Sequence, residues 1–203
     1  IYALIIAKLT GIRKLISSFG GNYFPGNRSF DTFLLRFIYK IFDPFINLYI
    51  CNSHIGKKCL LAELNLNHKK IIVINNGLDF NLMSEKKPIN ILPIISKNKI
   101  VGSVSNLNYD KDPLNFIESA YLVKKKYNNV DFHLIGSGNL EYKCREKIEK
   151  LGMSDYFKLY TNINQGHLVS NFFDIAVLSS RNEAFPNVLL EYMFWGKPCV
   201  VTD

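Results

Sequence analysis

From Lys99 onward the sequence alternates short β-rich runs with amphipathic stretches, and that alternation leaves few folds open. KIVGSVS is followed by a helical stretch near Pro113–Lys126, DFHLIGSG by one near Leu140–Leu151, FKLYT by a short one and DIAVLSS by a helix from Pro186, before CVVTD closes the series. The repeated switch from strand-like to helical periodicity predicts successive β-α units. Strands joined through helices pair in parallel with right-handed crossovers, so the expected class is α/β with a parallel sheet.

The residues before this series read differently. GIRKLISSF and INLYICNS have strand character, Asp31–Ile41 and Ile55–Leu64 helical character, and KKIIVINNG supplies one more strand ending in an Asn76-Gly77 turn. NLMSEKKPINILPIISKNK, with two prolines and several lysines, reads as a linker. The expected organisation is therefore a first unit over 1–80, a linker over 81–97 and a second unit over 98–203. The chain opens on Ile1 rather than Met and closes on a strand-like VVTD, so further sequence is expected on both sides and both units are expected to be incomplete.

Composition narrows the possible roles. With 48% hydrophobic residues, 15 Phe and 11 Tyr, the chain has enough apolar surface to form a core. The net charge of +8 is uneven: Ile1–Leu92 carries 12 Lys/Arg against 5 Asp/Glu, and Pro93–Asp203 carries 13 against 12. A basic first half suits nucleic acid, an anionic membrane surface or a phosphorylated substrate, or is simply a solvated surface. Cys51, Cys59, Cys144 and Cys199 form no Cys-x-x-Cys pair, and His54, His68, His133 and His167 lack ligand spacing, so no protein-bound metal is expected and the thiols suit a reducing cytosol. Lys8, Arg13, Arg36 and Lys40 interrupt the longest apolar runs, and IYALIIAKLTGIRK lacks the basic leader and cleavage site of a signal peptide.

The segment RNEAFPNVLLEYMFWGKPCVVTD carries the most chemistry. Pro186 suits the first position of a helix and Gly196 its end. Glu191 is the only charged residue between Phe185 and Gly196, and a carboxylate on an apolar helix needs a hydrogen-bonding partner. Ribose or sugar hydroxyls suit it, and so does a nearby Lys or Arg. Glu183 falls in the preceding loop, where it either borders a pocket at the carboxyl edge of the sheet or is solvated. The N-terminus of the helix beside it, with its unsatisfied N–H groups and partial positive charge, suits a pyrophosphate. Lys111, before Asp112 as a prospective N-cap and Pro113 as first helical residue, brings a cation to a second helix N-terminus, unless it is a solvated loop lysine. Gly136 and Gly138 make a tight strand-to-helix turn; Glu141 stands where a dinucleotide fingerprint needs its third glycine, so NAD is not expected.

The spacing of Glu183 and Glu191 resembles the Glu-x7-Glu motif of the retaining glycosyltransferases of family 4, glycosyl transferases group 1, with Ala184 in place of the usual Gly. NLYICNSHIGKKCL followed by KKIIVINNGLDF resembles the last strand and helix of that family's N-terminal domain and its Asn-Gly-x-Asp hinge, with Asn76, Gly77 and Asp79 in place. KIVGSVSNLNYDKDPLNFIESA resembles the first strand and helix of its C-terminal domain, and DFHLIGSGNLEYKCREKIEKLG the strand, turn and helix that follow. Two further stretches depart from the pattern: Asn106, Asn108 and Tyr109 stand where an Arg accompanies the lysine, and SSFGGN, with Phe19, Gly20 and Gly21, lacks the usual His.

The resemblance implies a GT-B fold of two Rossmann-like domains and transfer of a sugar from a nucleoside diphosphate sugar to an acceptor hydroxyl with retention, in polysaccharide or glycolipid biosynthesis. It implies that Lys111 binds the donor pyrophosphate and Glu183 the sugar, both as catalytic residues. Glu191 would take the ribose, Gly136 and Gly138 would approach the nucleotide, and Ala184, Phe185, Pro186 and Asn187 would line the donor, their backbone amides holding sugar hydroxyls and phosphate. No cofactor and no metal are expected, and no side chain stands out as a general base. The expected partners are the nucleotide-sugar donor and a glycan or lipid-linked acceptor, with no nucleic acid. The expected location is cytoplasmic, with peripheral contact of the basic half at the inner membrane face. A nucleotide-sugar epimerase of the same fold and a truncated, non-catalytic nucleotide-binding remnant are the alternatives.

Overall fold

In the computed structural model of the chain, which describes residues 6, 10–12, 14–20, 30–64, 66–84, 96–163 and 166–202, the β-rich runs are strands and the amphipathic stretches helices. The fold divides between Asn76 and Gly77 into two units.

The first unit holds β1 (Ile16–Phe19), α1 (Phe30–Phe42), β2 (Leu48–Cys51), α2 (His54–Leu64) and β3 (Ile71–Val73), with short 3-10 turns at Asp43–Phe45 and His68–Lys70. Its three strands are parallel in the order β1-β2-β3, with Ile16 opposite Leu48 and Tyr49 opposite Ile71. Ile46, Tyr49, Cys51, Leu60, Leu64 and Ile71 form its core. Tyr49 can be buried because its hydroxyl donates to Asp43 Oδ1 at 2.9 Å; burial, followed by the Asp43 carboxylate, pushes its pKa up and keeps the donor protonated. β1 starts later than the sequence suggests: Gly11 has φ +70° and pairing begins only at Ile16.

The second unit contains α3 (Phe80–Ser84), β4 (Lys99–Val104), α4 (Pro113–Lys124), β5 (Val130–Ile135), α5 (Glu141–Lys150), β6 (Phe157–Tyr160), α6 (Gly166–Val169), β7 (Ile175–Leu178), α7 (Asn187–Phe194) and β8 (Cys199–Val201). Part of the expected linker is thus helical. Asp79 accounts for this: its side chain accepts the Asn81 N–H at 2.9 Å, its carbonyl accepts the Met83 N–H at 3.0 Å, and the Met83 side chain is buried. Residues 85–95 of that linker lie outside the described residues.

The five strands of this unit are parallel in the order β6-β5-β4-β7-β8. Successive residues of a strand point to opposite faces, and β5 accordingly sends Phe132 and Leu134 into one core layer and Ile135 into the other. The first layer joins Phe116, Ile117, Ala120, Cys144 and Ile148 of α4 and α5; the second joins Val169, Phe173 and Tyr192 from α6 to α7. From β4 the chain moves outward through β5 to β6, then returns to place β7 on the other side of β4. β4 and β7 are therefore the switch point of the sheet, where adjacent strands feed loops in opposite directions.

Pairing across the switch point is brief, with Val101 opposite Ile175 and Gly102 opposite Ala176. Beyond it Tyr192 takes over: its hydroxyl, on a fully buried ring, accepts the Val104 N–H at 2.8 Å. Burial, more than any neighbour, pushes the Tyr192 pKa up. Tyr192→Phe keeps the ring and leaves a buried N–H unpaired, so a loss of about 1–3 kcal/mol in urea unfolding is expected; an unchanged midpoint would show that this bond does not hold the switch point together.

Candidate active site

All five strands of the second unit end at one edge, and the loops leaving β4 and β7 there carry most of the charged candidates. The loop after β7 binds the loop after β4 through several polar contacts. Ser179 Oγ donates to the carbonyls of Lys111 at 3.0 Å and Asp112 at 3.1 Å, and the Arg181 N–H donates to the Asp110 carbonyl at 2.7 Å. Within its own loop the Lys111 N–H is held by Asn108 Oδ1 at 3.0 Å.

These contacts aim the Lys111 side chain across the switch point, where its ammonium pairs with Glu183 Oε1. The same oxygen accepts Ser180 Oγ at 2.8 Å. Lys111 and Glu183, 72 residues apart in sequence, are thus brought together.

Arg181 has no counterpart in the residues singled out from sequence. Its guanidinium lies 4.4 Å from the centre of the Tyr109 ring, donates to the Tyr109 hydroxyl at 3.2 Å and pairs with Asp112 Oδ2 at 2.7 Å. The signal was an Arg in the SSRNE run after a strand, which has no meaning until the fold sets it beside Tyr109.

Asp112 departs from its expected role. It precedes α4, with Pro113 in the first turn, but its side chain does not cap the helix; its backbone is left-handed, φ 43° and ψ 57°. The carboxylate is drawn to Arg181 instead, and the Asp112 carbonyl takes the Asn115 N–H at 3.1 Å. Pro186 likewise sits one place before its expected position. With ψ 114° it is the residue before the helix, α7 begins at Asn187, and the Pro186 carbonyl accepts the Leu189 N–H at 3.2 Å.

Gly136 and Gly138 follow β5 and lie against the loop after β4. A Cβ on Gly136, whose φ is +152°, would stand 1.8 Å from the Ser105 carbonyl oxygen; one on Gly138 would stand 2.4 Å from that of Leu107. Hydrogen bonds of 3.0 Å from Ser105 N to the Ile135 carbonyl and from Leu107 N to the Ser137 carbonyl require that approach. The glycines therefore let two loops pair at the site edge.

Ala184, Phe185 and Pro186 are half-buried between Glu183 and α7, and Asn187 is exposed at the start of the helix. Glu191, on α7, is half-buried and makes no hydrogen bond or ion pair with a charged side chain among the described residues, so it is not part of the Lys111–Glu183 pair. Burial pushes its carboxyl pKa up. An apolar groove of ≈ 280 Å³ between α4 and the β7–β8 face, lined by Val101, Phe116, Val123, Ile175, Val177 and Val200 among others, includes none of Lys111, Glu183 and Glu191. Its lining suits a hydrocarbon surface rather than a charged ligand.

A five-stranded parallel α/β sheet whose strand order reverses between β4 and β7 is the build of a Rossmann-like domain. The chain belongs to the glycosyl transferases group 1, the family matched by residues 84–203. It is 29% identical to the N,N'-diacetylbacillosaminyl-diphospho-undecaprenol alpha-1,3-N-acetylgalactosaminyltransferase of Campylobacter jejuni, over 97% of this chain and 54% of that protein. It is 25% identical to the UDP-Gal:alpha-D-GlcNAc-diphosphoundecaprenol alpha-1,3-galactosyltransferase of Escherichia coli, over 98% of this chain and 54% of that one. The chain therefore spans about half the length of these relatives. Among solved structures, Anabaena HepE in complex with UDP and glucose superposes with a TM-score of 0.79 at 21% identity, over 98% of this chain and 56% of that one. The fold is of the GT-B type.

The raised Glu191 pKa has a definite sign. A carboxyl harder to ionise in the fold than in the unfolded chain costs stability once the pH exceeds its ordinary range, and nothing below it. Glu191→Gln is expected to resist urea better than wild type at about pH 7, with the gain gone by about pH 3, below the ordinary range of a glutamate. Parallel unfolding curves at both values check it; a variant weaker than wild type near neutrality contradicts it.

Proposed function

We propose that the chain carries the donor site of a retaining glycosyltransferase that moves a sugar from a nucleoside diphosphate sugar to an acceptor hydroxyl, in polysaccharide or glycolipid biosynthesis. The observation that carries this reading is the meeting of Lys111 and Glu183 at the switch point, in a chain of the group 1 family. Lys111 is assigned to the diphosphate, Glu183 to the donor sugar, and Glu191 to the ribose, whose hydroxyls would supply the partners its carboxylate lacks. The Ala184–Asn187 segment and the turn at Gly136 and Gly138 line the donor.

In the proposed step the bond from the anomeric carbon to the diphosphate breaks, and its electron pair leaves with the diphosphate. The acceptor oxygen bonds to the same carbon, and its proton passes to the departing phosphate oxygen. The site's contribution is to hold the leaving diphosphate against Lys111 and orient the sugar against Glu183, which lowers the barrier by electrostatics and positioning. This chemistry is proposed to need neither a metal nor a cofactor.

Titration of the chain with UDP, GDP and their sugar conjugates tests the site. One nucleotide family is expected to bind, Lys111→Ala to lose most of that affinity, and Glu191→Ala to weaken it by about 1–3 kcal/mol, the usual cost of losing a buried polar partner. A folded chain that binds none of these ligands removes the donor site. Retention is read separately, from the anomeric configuration of a product by NMR; a product inverted relative to the donor overturns it.

The proposed acceptor is a glycan or a lipid-linked sugar, and the basic first unit offers a means of reaching the latter. No helix among the described residues is long and apolar enough to cross a membrane. On α1 and the turn after it, however, Phe37, Ile41 and Phe45 are exposed at intervals of four, beside an exposed Lys40. Apolar side chains flanked by cations fit the surface of an anionic bilayer. Co-sedimentation with phosphatidylglycerol vesicles is expected, reduced in a Phe37→Ser, Lys40→Glu double variant and absent with phosphatidylcholine alone; equal binding to both lipids contradicts the electrostatic part of this reading.

A further inference from the structure

The Lys111–Glu183 pair is an obstacle to the anion it is proposed to receive. Both side chains are mostly buried, at 22% and 18% exposure, and the ammonium is already neutralised by the carboxylate. The neighbouring cation is engaged too, since Arg181 is held by Asp112 and the Tyr109 ring. Among the described residues of the two loops, both cations already face a carboxylate: Lys111 is paired with Glu183 and Arg181 with Asp112.

Releasing Lys111 creates a second problem, because among the described residues Glu183 then keeps only the hydrogen bond from Ser180 Oγ. A mostly buried carboxylate stripped of its cation is costly unless another donor replaces it. Phosphate oxygens at neutral pH only accept, whereas sugar hydroxyls also donate. The two halves of a nucleotide sugar therefore match the two halves of the pair: an anion for Lys111 and a hydroxyl donor for Glu183.

Resting on the donor-site reading, we infer that Lys111 and Glu183 exchange partners when donor binds. The ammonium passes from Glu183 to the diphosphate, and a sugar hydroxyl donates to Glu183 in its place. The pair thereby distinguishes the complete donor from the nucleoside diphosphate left after transfer. The donor satisfies both residues; the spent diphosphate satisfies Lys111 alone and leaves Glu183 short of a partner, which favours return of the ion pair and release of product.

Two substitutions are expected to move affinity for the bare diphosphate in opposite directions. Glu183→Gln removes the competing charge while keeping the shape, so UDP, or GDP if that is the nucleotide bound, should bind roughly three- to tenfold more tightly, the worth of a partly exposed ion pair. The matching glucose conjugate should bind no tighter, so that wild-type preference for the conjugate shrinks. Ser180→Ala leaves both charges and removes the hydrogen bond that Glu183 retains during exchange, so UDP should bind more weakly. Isothermal titration of wild type and both variants reads these values, with circular dichroism to confirm folding; if Glu183→Gln does not fold, the Ser180→Ala result decides. Wild type that binds UDP while Glu183→Gln binds it no more tightly, or Ser180→Ala no more weakly, overturns the exchange and leaves the donor site standing. Absence of binding to every nucleotide in wild type and variants alike brings down the donor-site reading itself.

Discussion

Where β4 and β7 part, the sheet leaves the Val104 N–H to another partner, and the loops beyond the strands are joined by polar contacts of their own. The Tyr192 hydroxyl answers the Val104 N–H from within the core. Ser179 and the Arg181 backbone reach the carbonyls of Asp110, Lys111 and Asp112. Each contact also fixes the direction of a functional candidate: Tyr192 roots the helix that carries Glu191, and the Ser179 bonds set the backbone from which Lys111 projects. A gap in a sheet would ordinarily be a defect of hydrogen bonding. Here the groups that repair it are the scaffold of the charged edge.

Much of this architecture was legible because it depends on local pattern. Alternating strand and helix periodicity located the strands and helices from β4 onward to within a few residues, and the same pattern put their loops on a shared edge, while α3 was hidden in the stretch that reads as a linker. Glu183 and Lys111 were legible as a charged residue just before an apolar helix and a lysine just before an Asp-Pro helix start. What could not be read were roles decided by partners far along the chain. Asp112 has the residue type of an N-cap, but Arg181, distant in sequence, offers its carboxylate a stronger, charge-assisted partner. Arg181 itself looked like an ordinary loop residue. Gly136 and Gly138 invited comparison with a nucleotide-binding turn, while their visible necessity is the passage of one backbone beside another.

Local conflict gathers at this edge. Asp112 holds a left-handed backbone without being glycine, and Glu191 keeps a carboxyl on a helix that burial would rather see neutral. Away from the edge, comparable groups are settled: the Asp174 carboxylate, for instance, takes both the Lys99 ammonium and the Ile100 N–H at 2.8 Å, the first and then the second holding its pKa below the ordinary value. Elsewhere in the unit the exceptions are few among the described residues: His133 Nδ1, buried on β5, has no hydrogen-bond partner, and Asn162 shares the left-handed backbone of Asp112.

The brief contact between β4 and β7 also bears on how the unit assembles. Pairing of β4 with β5 runs the full length of both strands and closes a short loop, whereas β7 meets β4 over only two residue pairs, with the Ile100 N–H bonded to Asp174 from 74 residues away. The entropy of closing a loop rises with its length, and contacts that return little for that closure form late and open early. The β4-β5-β6 half can therefore take shape as a local nucleus, with β7 and β8 docking onto it afterwards. The line along which the sheet is last to knit is the line across which Lys111 reaches Glu183.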